Sequence, residues 1–395
     1  MFDQDQGRKG EKKAKKPPAQ VRPSSSIILL SPTNQVLLLH RVQTSSSFAS
    51  AHVFPGGNLS SFHDGPLPAV DTPALHEDGP AYRLAAIRET FEESGILLAK
   101  RIGQTRDQGL LQIPDDVRET GRKLVHGNTV KFTEWLRNQG GEPDVDNLLP
   151  FTRWITPHGP PKRFTTQMYL YMLPLSLPPS SNDLLQHKQA LIPTPTHDGG
   201  LEHTAAAFDS THTWLARARA GEIILFPPQY YLLQLIAGFM HPPSPPSSPS
   251  PKKDTEPTPA SAEDYHAQRT ALLAFLHRTP TSSPSLMDDD ATDDGNDART
   301  STSTIPWSDK VMSPSMLFVR RRDGRVVLGL DKPGPELRGS GRGGDAERVV
   351  LVRFVGGGPR EVEVRGREEV VREERVEDGE EGEEDGGGEG TGSKL

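Results

Sequence analysis

Glu89, Glu92 and Glu93 stand within about one helical turn of each other and directly follow Arg88. On a helix with 3.6 residues per turn, the three glutamates gather on one side. Like charges four positions apart destabilise a helix by about 0.2–0.5 kcal/mol unless a cation lies between them. The pattern therefore indicates either an ordinary amphipathic helix with a solvated acidic face or a cation site. The opposite side of the helix carries an apolar stripe of Leu84, Ile87, Phe91 and Leu98.

Carboxylate oxygens favour a hard divalent cation, so the predicted ligand is Mg²⁺ or Mn²⁺ rather than zinc. The sequence contains no cysteine, which excludes a disulfide framework, a thiolate zinc site and a cysteine nucleophile. Gly95 supplies a left-handed residue that would end the helix. Upstream, Gly56 and Gly57 follow Phe54-Pro55 and let the backbone either approach a phosphate closely or turn tightly.

The run from Arg88 to Ile96 reads Arg-Glu-Thr-Phe-Glu-Glu-Ser-Gly-Ile. It resembles the core of the Nudix box, the signature of hydrolases that act on nucleoside diphosphates linked to another moiety. The family pattern is Gly-x5-Glu-x7-Arg-Glu-U-x-Glu-Glu-x-Gly-U, where U is usually a bulky aliphatic residue. Thr90 departs mildly from the pattern at the first U position, and Ile96 satisfies the second.

The spacing upstream of Arg88 departs from the pattern more strongly, since Gly57 lies too far away and Pro80 stands where the first Glu is expected. Residues 58–79 are therefore interpreted as an insertion that splits the box. Glu77 and Asp78 are the candidates within the insertion for the lost carboxylate. An interrupted box of this kind resembles the peroxisomal Nudix hydrolases that cleave coenzyme A and its thioesters.

The resemblance implies roles for individual residues. Glu92 and Glu93 would be metal ligands, Glu89 a ligand or general base, and Arg88 a partner that holds the carboxylates. Glu202, at the start of a late strand, is the candidate for a fourth carboxylate near the metal. The candidate substrate-binding residues are Gly56, Gly57, Arg41 and Arg163. For Arg163, a phosphate clamp and a solvated loop charge both remain open, and the same holds for Lys162.

The predicted fold class is α/β (α+β): a Nudix fold in which a mixed β-sheet is sandwiched between helices, with disordered arms and a small C-terminal β extension. Only 33% of the residues are hydrophobic, and Gly and Pro number 37 each, so much of the chain is not expected to pack into a core. The expected division is a disordered basic arm (1–22), a Nudix domain (23–241), a disordered linker (242–305), a β extension (306–366) and an acidic, glycine-rich tail (367–395).

Hydrophobic patterning predicts the main elements. Pro32-Thr33-Asn34 separates two apolar runs and indicates a hairpin. The predicted strands are 25–31, 35–42, 148–156 and 164–175, with a late hairpin over 316–331 and one or two strands over 348–364. The predicted helices are 82–99, 115–139, a short one near 265–277 within the linker, and 230–240. The segment 115–139 is assigned to packing, with a lid over the substrate as the alternative.

The last three residues, Ser393, Lys394 and Leu395, match a peroxisomal import address. The expected location is the peroxisomal matrix, with the import receptor as a partner. A formal net charge of −8, with basic and acidic residues segregated by region, argues against nucleic acid as a partner. No apolar run approaches the ~20 residues of a membrane span, and the N-terminal residues are charged, so a soluble intracellular protein is expected.

The resemblance implies hydrolysis of a P–O–P linkage in a small-molecule nucleotide, with coenzyme A or acyl-CoA giving 3′,5′-ADP and a phosphopantetheine product. A diphosphatase for NADH, ADP-ribose or a dinucleoside polyphosphate is the second hypothesis. The third is a Nudix-fold sensor that binds a nucleotide without cleaving it, which the missing first Glu favours. The retained trio of repelling carboxylates argues against the sensor.

Overall fold

The structure is a computed structural model that describes residues 19–42, 50–104, 109–175, 203–241, 261–282 and 302–384. The strands are β1 (Val21–Leu30), β2 (Val36–Arg41), β3 (His52–Val53), β4 (Gly56–Asn58), β5 (Ala99–Arg101), β6 (Gly141–Pro143), β7 (Leu149–Ile155), β8 (Arg163–Met172), β9 (His203–Asp209), β10 (Val311–Met312), β11 (Ser315–Val319), β12 (Val326–Leu330), β13 (Asp345–Val355) and β14 (Gly358–Gly366).

The α-helices are α1 (Pro80–Ser94), α2 (Asp115–His126), α3 (Phe132–Asn138), α4 (Thr211–Arg219), α5 (Pro227–Ala237), α6 (Ala262–His277) and α7 (Arg367–Glu384). Short 3₁₀ helices cover Pro73–His76, Val145–Asn147 and Pro335–Leu337. Within the described residues, none of these helices is long and apolar enough to cross a membrane.

The central sheet has eight strands in the order β10-β7-β8-β1-β2-β3, while β4 pairs with β1 and β9 pairs with β2. Strands β1 and β8 run parallel over their whole length, whereas β1 and β2 form the antiparallel hairpin that the sequence predicted. Asn34 adopts a left-handed φ of 57° in the hairpin turn, a conformation that Asn tolerates. The sheet is therefore mixed, as expected for the predicted fold class.

Strand β1 is buried on both faces, and Ile27, Ile28, Leu29 and Leu30 are all 0% exposed. Successive side chains on a strand point to opposite faces, so a strand covered on both sides reads as a continuous apolar run. Ile27 and Leu29 pack with α1, α2 and α3, whereas Ile28 and Leu30 pack with α4, α5 and α6. The prediction of a sheet sandwiched between helices is confirmed.

Helix α1 is shorter than the predicted 82–99. It begins at Pro80 in the first turn and ends where Gly95 takes a left-handed φ of 71° and its N–H bonds to the carbonyl of Phe91 at 2.9 Å. The predicted helix over 115–139 is two helices, because the chain turns at Asn128 with a φ of 53°. Trp135 of α3 stacks on Phe91 of α1 with ring centroids 4.9 Å apart, which supports packing for this segment.

The C-terminal β extension contributes strands to two sheets. Strand β10 pairs in parallel with β7 at the margin of the central sheet, and β11, β12, β13 and β14 form a separate antiparallel sheet. Val350, Val352 and Val362 of that second sheet join the core cluster that contains α5. The extension is therefore packed onto the Nudix part of the chain.

Two expectations of disorder need correction. Within the predicted linker, α6 packs on the β1–β2 hairpin, because the buried Arg269 donates to the Asn34 side chain at 2.7 Å and to the carbonyl of Ser31 at 2.6 Å. In the predicted tail, α7 extends to Glu384, since Val370 is 0% exposed and Glu373 pairs with Arg365 at 2.6 Å. Residues 1–18, 242–260, 283–301 and 385–395 lie outside the described residues.

Candidate active site

Arg88 of α1 is the centre of a buried network of carboxylates. Its Nη1 donates to Glu89 Oε1 at 2.8 Å and to Glu92 Oε1 at 2.9 Å. Its Nε and Nη2 donate to the two oxygens of Asp64 at 2.9 Å and 2.8 Å, and Nη2 also donates to the carbonyl of Asn58 at 3.1 Å. These five bonds match the five N–H donors of a guanidinium. Arg88 is therefore the cation that relieves the repulsion among the glutamates.

Asp64 is the carboxylate that sequence reasoning missed. Its side chain is 0% exposed, and it holds Arg88 in the two-pronged geometry that a guanidinium and a carboxylate favour. The candidates named from the sequence lie elsewhere: Glu77 is exposed, and Asp78 pairs with Arg83 at 2.6 Å. A signal was present, because Asp64 stands one position beyond the place where Gly57-x5-Glu puts the first Glu. The insertion into the box therefore follows Asp64 and does not begin at residue 58.

Besides its bond to Arg88, Glu92 is contacted by two residues of α2, His126 and Arg122. Its Oε2 lies 3.1 Å from Nδ1 of His126, at the end of α2, and its backbone carbonyl accepts a 2.6 Å bond from Nε of the buried Arg122. Helix α2 thus fixes the middle of α1 through polar contacts as well as apolar packing. Neither Arg122 nor His126 was predicted, since nothing in their sequence spacing connects them to the box.

Glu93 connects α1 to the strand that carries the two glycines. Its Oε2 accepts a 2.8 Å bond from the backbone N–H of Gly56, and its Oε1 lies 3.6 Å from Nε2 of the fully buried His203. His203 opens β9 and was also not predicted. Its position indicates that β9 enters the site beside Glu93.

Glycine is required at positions 56 and 57 because neighbouring atoms lie too close to leave room for a Cβ. A Cβ at Gly56 would lie 2.3 Å from the carbonyl oxygen of Ser25, and one at Gly57 would lie 2.5 Å from Cδ of Glu89. Gly56 also has a φ of 155°. Both glycines therefore let β4 lie directly between β1 and the carboxylates of α1.

Burial raises the pKa of Glu89 to about 7, because the charged carboxylate is removed from water. The adjacent Arg88 opposes this effect, while Glu92 and Asp64 add to it. Burial also opposes the charge of Arg88, but Glu89, Asp64 and Glu92 together raise the pKa of its guanidinium. Glu89 is therefore the carboxyl group of the network that is placed to exchange a proton near neutral pH.

The donor chemistry of the network suits a divalent cation. Its acidic side chains are all carboxylates, which supply the oxygen ligands that a hard cation prefers. Burial raises the pKa of Glu89, and a nearby positive charge would lower that pKa again. Among the described residues, no three histidine, aspartate or glutamate side chains already surround a common metal position. Glu202, the candidate fourth ligand, lies outside the described residues.

Two cavities meet at the carboxylates, and both are lined by Asn58, Glu89 and Glu93. The smaller, of about 420 Å³, continues toward His63, His126 and Asn128. The larger, of about 1690 Å³, continues across the sheet toward α5 and the C-terminal extension. Apart from Glu89 and Glu93, the charged residues that line the larger cavity are all cations: Arg22, Arg41, Lys162, Lys332, Arg338 and Arg342.

The structure brings most of the predicted site residues together and separates one. Gly56, Gly57 and Arg41 line the same cavity as Glu89 and Glu93. Arg163 does not, because its buried side chain donates to the carbonyl of Thr156 at 3.0 Å and pairs with Glu336. The expected phosphate clamp at Arg163 is therefore corrected, and the neighbouring Lys162, which lines the cavity, is the better candidate. Ser393, Lys394 and Leu395 lie outside the described residues.

A family model described as the NUDT19 Nudix domain matches residues 69–235. An acyl-coenzyme A diphosphatase NUDT19 from Gallus gallus is 28% identical over 248 residues, which cover 52% of this chain and 61% of that protein. The Homo sapiens protein of the same name is 27% identical over 246 residues, with the same two coverages. A putative nudix hydrolase 7 from Caenorhabditis elegans is 33% identical over 153 residues, covering 38% and 44%. The chain thus spans less than two thirds of the length of these relatives.

Among solved structures, a NUDIX hydrolase from Alicyclobacillus acidocaldarius is 22% identical, covers 55% of this chain and 91% of its own, and superposes with a TM-score of 0.41. The family match includes α1 with its glutamates and ends within α5. Upstream of the match, β4 and Asp64 complete the split box in space. Residues 69–235 of this chain, which contain α1 and its glutamates, are therefore similar to the NUDT19 Nudix domain.

Proposed function

We propose that this protein is a metal-dependent diphosphatase that hydrolyses the P–O–P linkage of coenzyme A or acyl-CoA, giving 3′,5′-ADP and phosphopantetheine or its acyl derivative. The observation that carries the proposal is the position of Glu89 and Glu93. Both glutamates line a cavity whose other charged lining residues are all cations. In a chain with a net charge of −8, such a lining suits a polyanionic ligand.

The reaction divides among named side chains. Glu92 and Glu93 would hold a divalent cation, which when bound supplies charge neutralisation for the diphosphate and activation of water. Glu89 is either a third ligand or the general base, and the second role is supported by its burial, which raises its pKa to about 7 and lets the carboxylate accept a proton at neutral pH. Arg88 and Asp64 act as positioning residues that fix these carboxylates. Lys162 and Arg41 line the cavity where a phosphate would be neutralised.

Coenzyme A is favoured over other diphosphates by two observations. The Gallus gallus and Homo sapiens relatives are named acyl-coenzyme A diphosphatases. In addition, the larger cavity carries an extensive apolar surface, which NADH or ADP-ribose would leave unfilled. Those nucleotides remain the alternative substrates, and a sensor that does not cleave is the third possibility for the experiment.

The test is incubation of the full chain with CoA, acetyl-CoA, NADH and ADP-ribose, each with Mg²⁺ or Mn²⁺, followed by chromatography of the products. Release of 3′,5′-ADP from CoA or acetyl-CoA is expected. Turnover of only NADH or ADP-ribose would retain the metal site and refute the CoA assignment. Binding without turnover of any compound would support the sensor.

We also propose that the protein acts in the peroxisomal matrix and is delivered by the import receptor, on the basis of Ser393-Lys394-Leu395. A fluorescent protein fused to the N-terminus of the full chain should give a punctate signal that overlaps a peroxisomal marker. Removal of Leu395 should move the signal to the cytosol, whereas Gly392→Ala, which leaves the tripeptide intact, should not. Punctate signal without Leu395 would refute the address.

A further inference from the structure

The larger cavity is bordered by two separate parts of the chain. One part is the Nudix domain, which contributes β1, β4, β8 and the start of α5. The other is the C-terminal extension, which contributes residues of β11, β12 and β13 and the segment that includes Lys332 and Arg338. The family match ends at residue 235, so the extension lies wholly outside it.

Strand register shows how the cavity floor connects the two parts. Gly56 of β4 pairs with Ser26 of β1, and Ser26 pairs with Met168 of β8. Two residues earlier on β1, Ser24 pairs with Thr166 of β8, and Thr166 pairs with Trp154 of β7. All of these residues line the cavity. The floor therefore runs from the carboxylates across the sheet to β7, the strand that β10 joins.

Much of the cavity lining is apolar. The extension contributes Met316, Val326, Leu328 and Phe354, and the Nudix domain contributes Trp154, Phe226 and Leu232. Met316 is 66% exposed and Phe354 is 56% exposed, so two large apolar side chains face solvent in the unliganded protein. Apolar side chains that border a cleft and remain exposed are typical of a ligand surface.

A polar group in the cavity suits a ligand that is not purely hydrocarbon. Gln229 lines the same cavity, and its Oε1 has no hydrogen-bond partner within the described part of the chain. A buried amide oxygen of this kind is satisfied by an amide N–H from a ligand. The cavity thus offers carboxylates, an amide acceptor and apolar side chains, which are the kinds of group that diphosphate, pantetheine and an acyl chain require.

We propose that the C-terminal β extension forms the acyl-chain wall of the substrate cleft, where Met316, Val326, Leu328 and Phe354 contact the hydrocarbon of a fatty acyl-CoA such as dodecanoyl-CoA. The proposal rests on the proposed function, since it assigns a substrate class to the same site. At about 1690 Å³ the cavity exceeds the roughly 300–1,000 Å³ of an ordinary small-ligand pocket, which leaves room for an acyl chain beside the nucleotide. Each methylene buried there would tighten binding by roughly fourfold.

The test compares Phe354→Ala and Met316→Ala in the full chain with Val355→Ala and Val319→Ala. The control residues are also exposed and lie on the same two strands, but they do not line the cavity. The kcat and KM for CoA, acetyl-CoA and dodecanoyl-CoA are measured, together with equilibrium binding of dodecanoyl-CoA. We expect KM and Kd for dodecanoyl-CoA to rise roughly tenfold in the cavity variants, with the values for CoA and for both controls unchanged.

Cleavage of CoA with an unchanged dependence on chain length in the cavity variants would overturn the wall and leave the proposed function intact. An equal change for all three substrates would also overturn it, since that result indicates a general structural effect. If dodecanoyl-CoA binds but is not cleaved, and the cavity variants weaken that binding, the wall stands while the proposed function fails. No binding of dodecanoyl-CoA by the unmodified protein would refute the wall.

Discussion

The guanidinium of Arg88 and the carboxylate of Asp64 face each other through two bonds of 2.8 Å and 2.9 Å, both inside the protein. Asp64 comes from the segment between β4 and α1 and directly precedes the insertion, so the two halves of the split box meet in space. The pair joins that segment to α1 and leaves the remaining donors of Arg88 free to bond Glu89 and Glu92. The missing first Glu therefore does not imply a missing carboxylate.

Removal of the Asp64 charge should destabilise the protein. We expect Asp64→Asn to lower the free energy of unfolding by about 1–3 kcal/mol, because the amide has only one acceptor oxygen and leaves a buried donor of Arg88 unpaired, while Glu89 and Glu92 still balance its charge. Activity should fall as well, since Arg88 positions the glutamates. Urea unfolding followed by circular dichroism measures the first effect. Glu77→Gln, an exposed carboxylate of the same segment, is the control, and equal stability of the two variants would contradict the assignment.

Glu93→Gln should abolish metal-dependent turnover while the fold is retained. The amide oxygen of Gln can still accept the bond from Gly56 N–H, but a neutral amide is a poor ligand for Mg²⁺. We expect a loss of at least about 100-fold in kcat and weaker Mg²⁺ binding by calorimetry. Glu134→Gln, an exposed glutamate of α3, should match the unmodified protein. Near-normal turnover in Glu93→Gln would overturn the site.

Gly57→Ala should displace Glu89, because the added Cβ would lie 2.5 Å from Cδ of that side chain. We expect kcat to fall by about tenfold or more, with a smaller effect on stability, since a carboxylate side chain can move where a backbone cannot. Gly79→Ala is the matched control: its Cβ meets nothing within 4 Å, and its φ of −168° suits alanine. Similar rates for both variants would show that Glu89 tolerates the displacement.

The free energy of unfolding should fall on acidification because of two histidines, the buried His76 and the partly buried His52. Burial, with smaller effects of neighbouring cations, lowers the pKa of His76 and of His52 from 6.5 to about 4. Below pH 6.5 the unfolded chain therefore binds protons that the folded chain does not accept until about pH 4. The stabilisation is complete above pH 6.5 and is lost as the pH falls through this window.

The measurement is the free energy of unfolding in urea at pH 7 and at pH 5. Each histidine should account for a decrease of about 1–2 kcal/mol between these values. In His76→Asn, which keeps a polar group beside Thr165, the decrease should be smaller by about that amount. A pH dependence that is unchanged in His76→Asn would contradict the buried neutral state of His76.

The sequence predicted those parts that local patterns control. The apolar run of β1 and the left-handed stop at Gly95 follow from periodicity and turn chemistry. The choice of Gly56, Gly57, Glu89 and Glu93 as site residues follows from a known motif. His126 and His203 could not be predicted in the same way, because their contacts with α1 arise from chain segments whose spacing carries no pattern. Asp64 was missed because it is an aspartate and stands one position beyond the place of the first Glu in the family pattern. For Arg163 the sequence prediction was wrong in the opposite sense. Its position beside a loop suggested an accessible cation, but the folded chain buries its side chain against Glu336.

The parallel pairing of β10 with β7 also has a practical consequence. A fragment that stops near residue 241, where motif analysis places the end of the Nudix domain, would leave β7 as an open edge strand with unpaired backbone groups. It would also uncover the apolar side of α5, on which Val350 and Val352 now pack. Exposed edges and apolar surfaces promote self-association. A fragment that avoids self-association should therefore include the C-terminal extension. Such a fragment ends more than a hundred residues after residue 241.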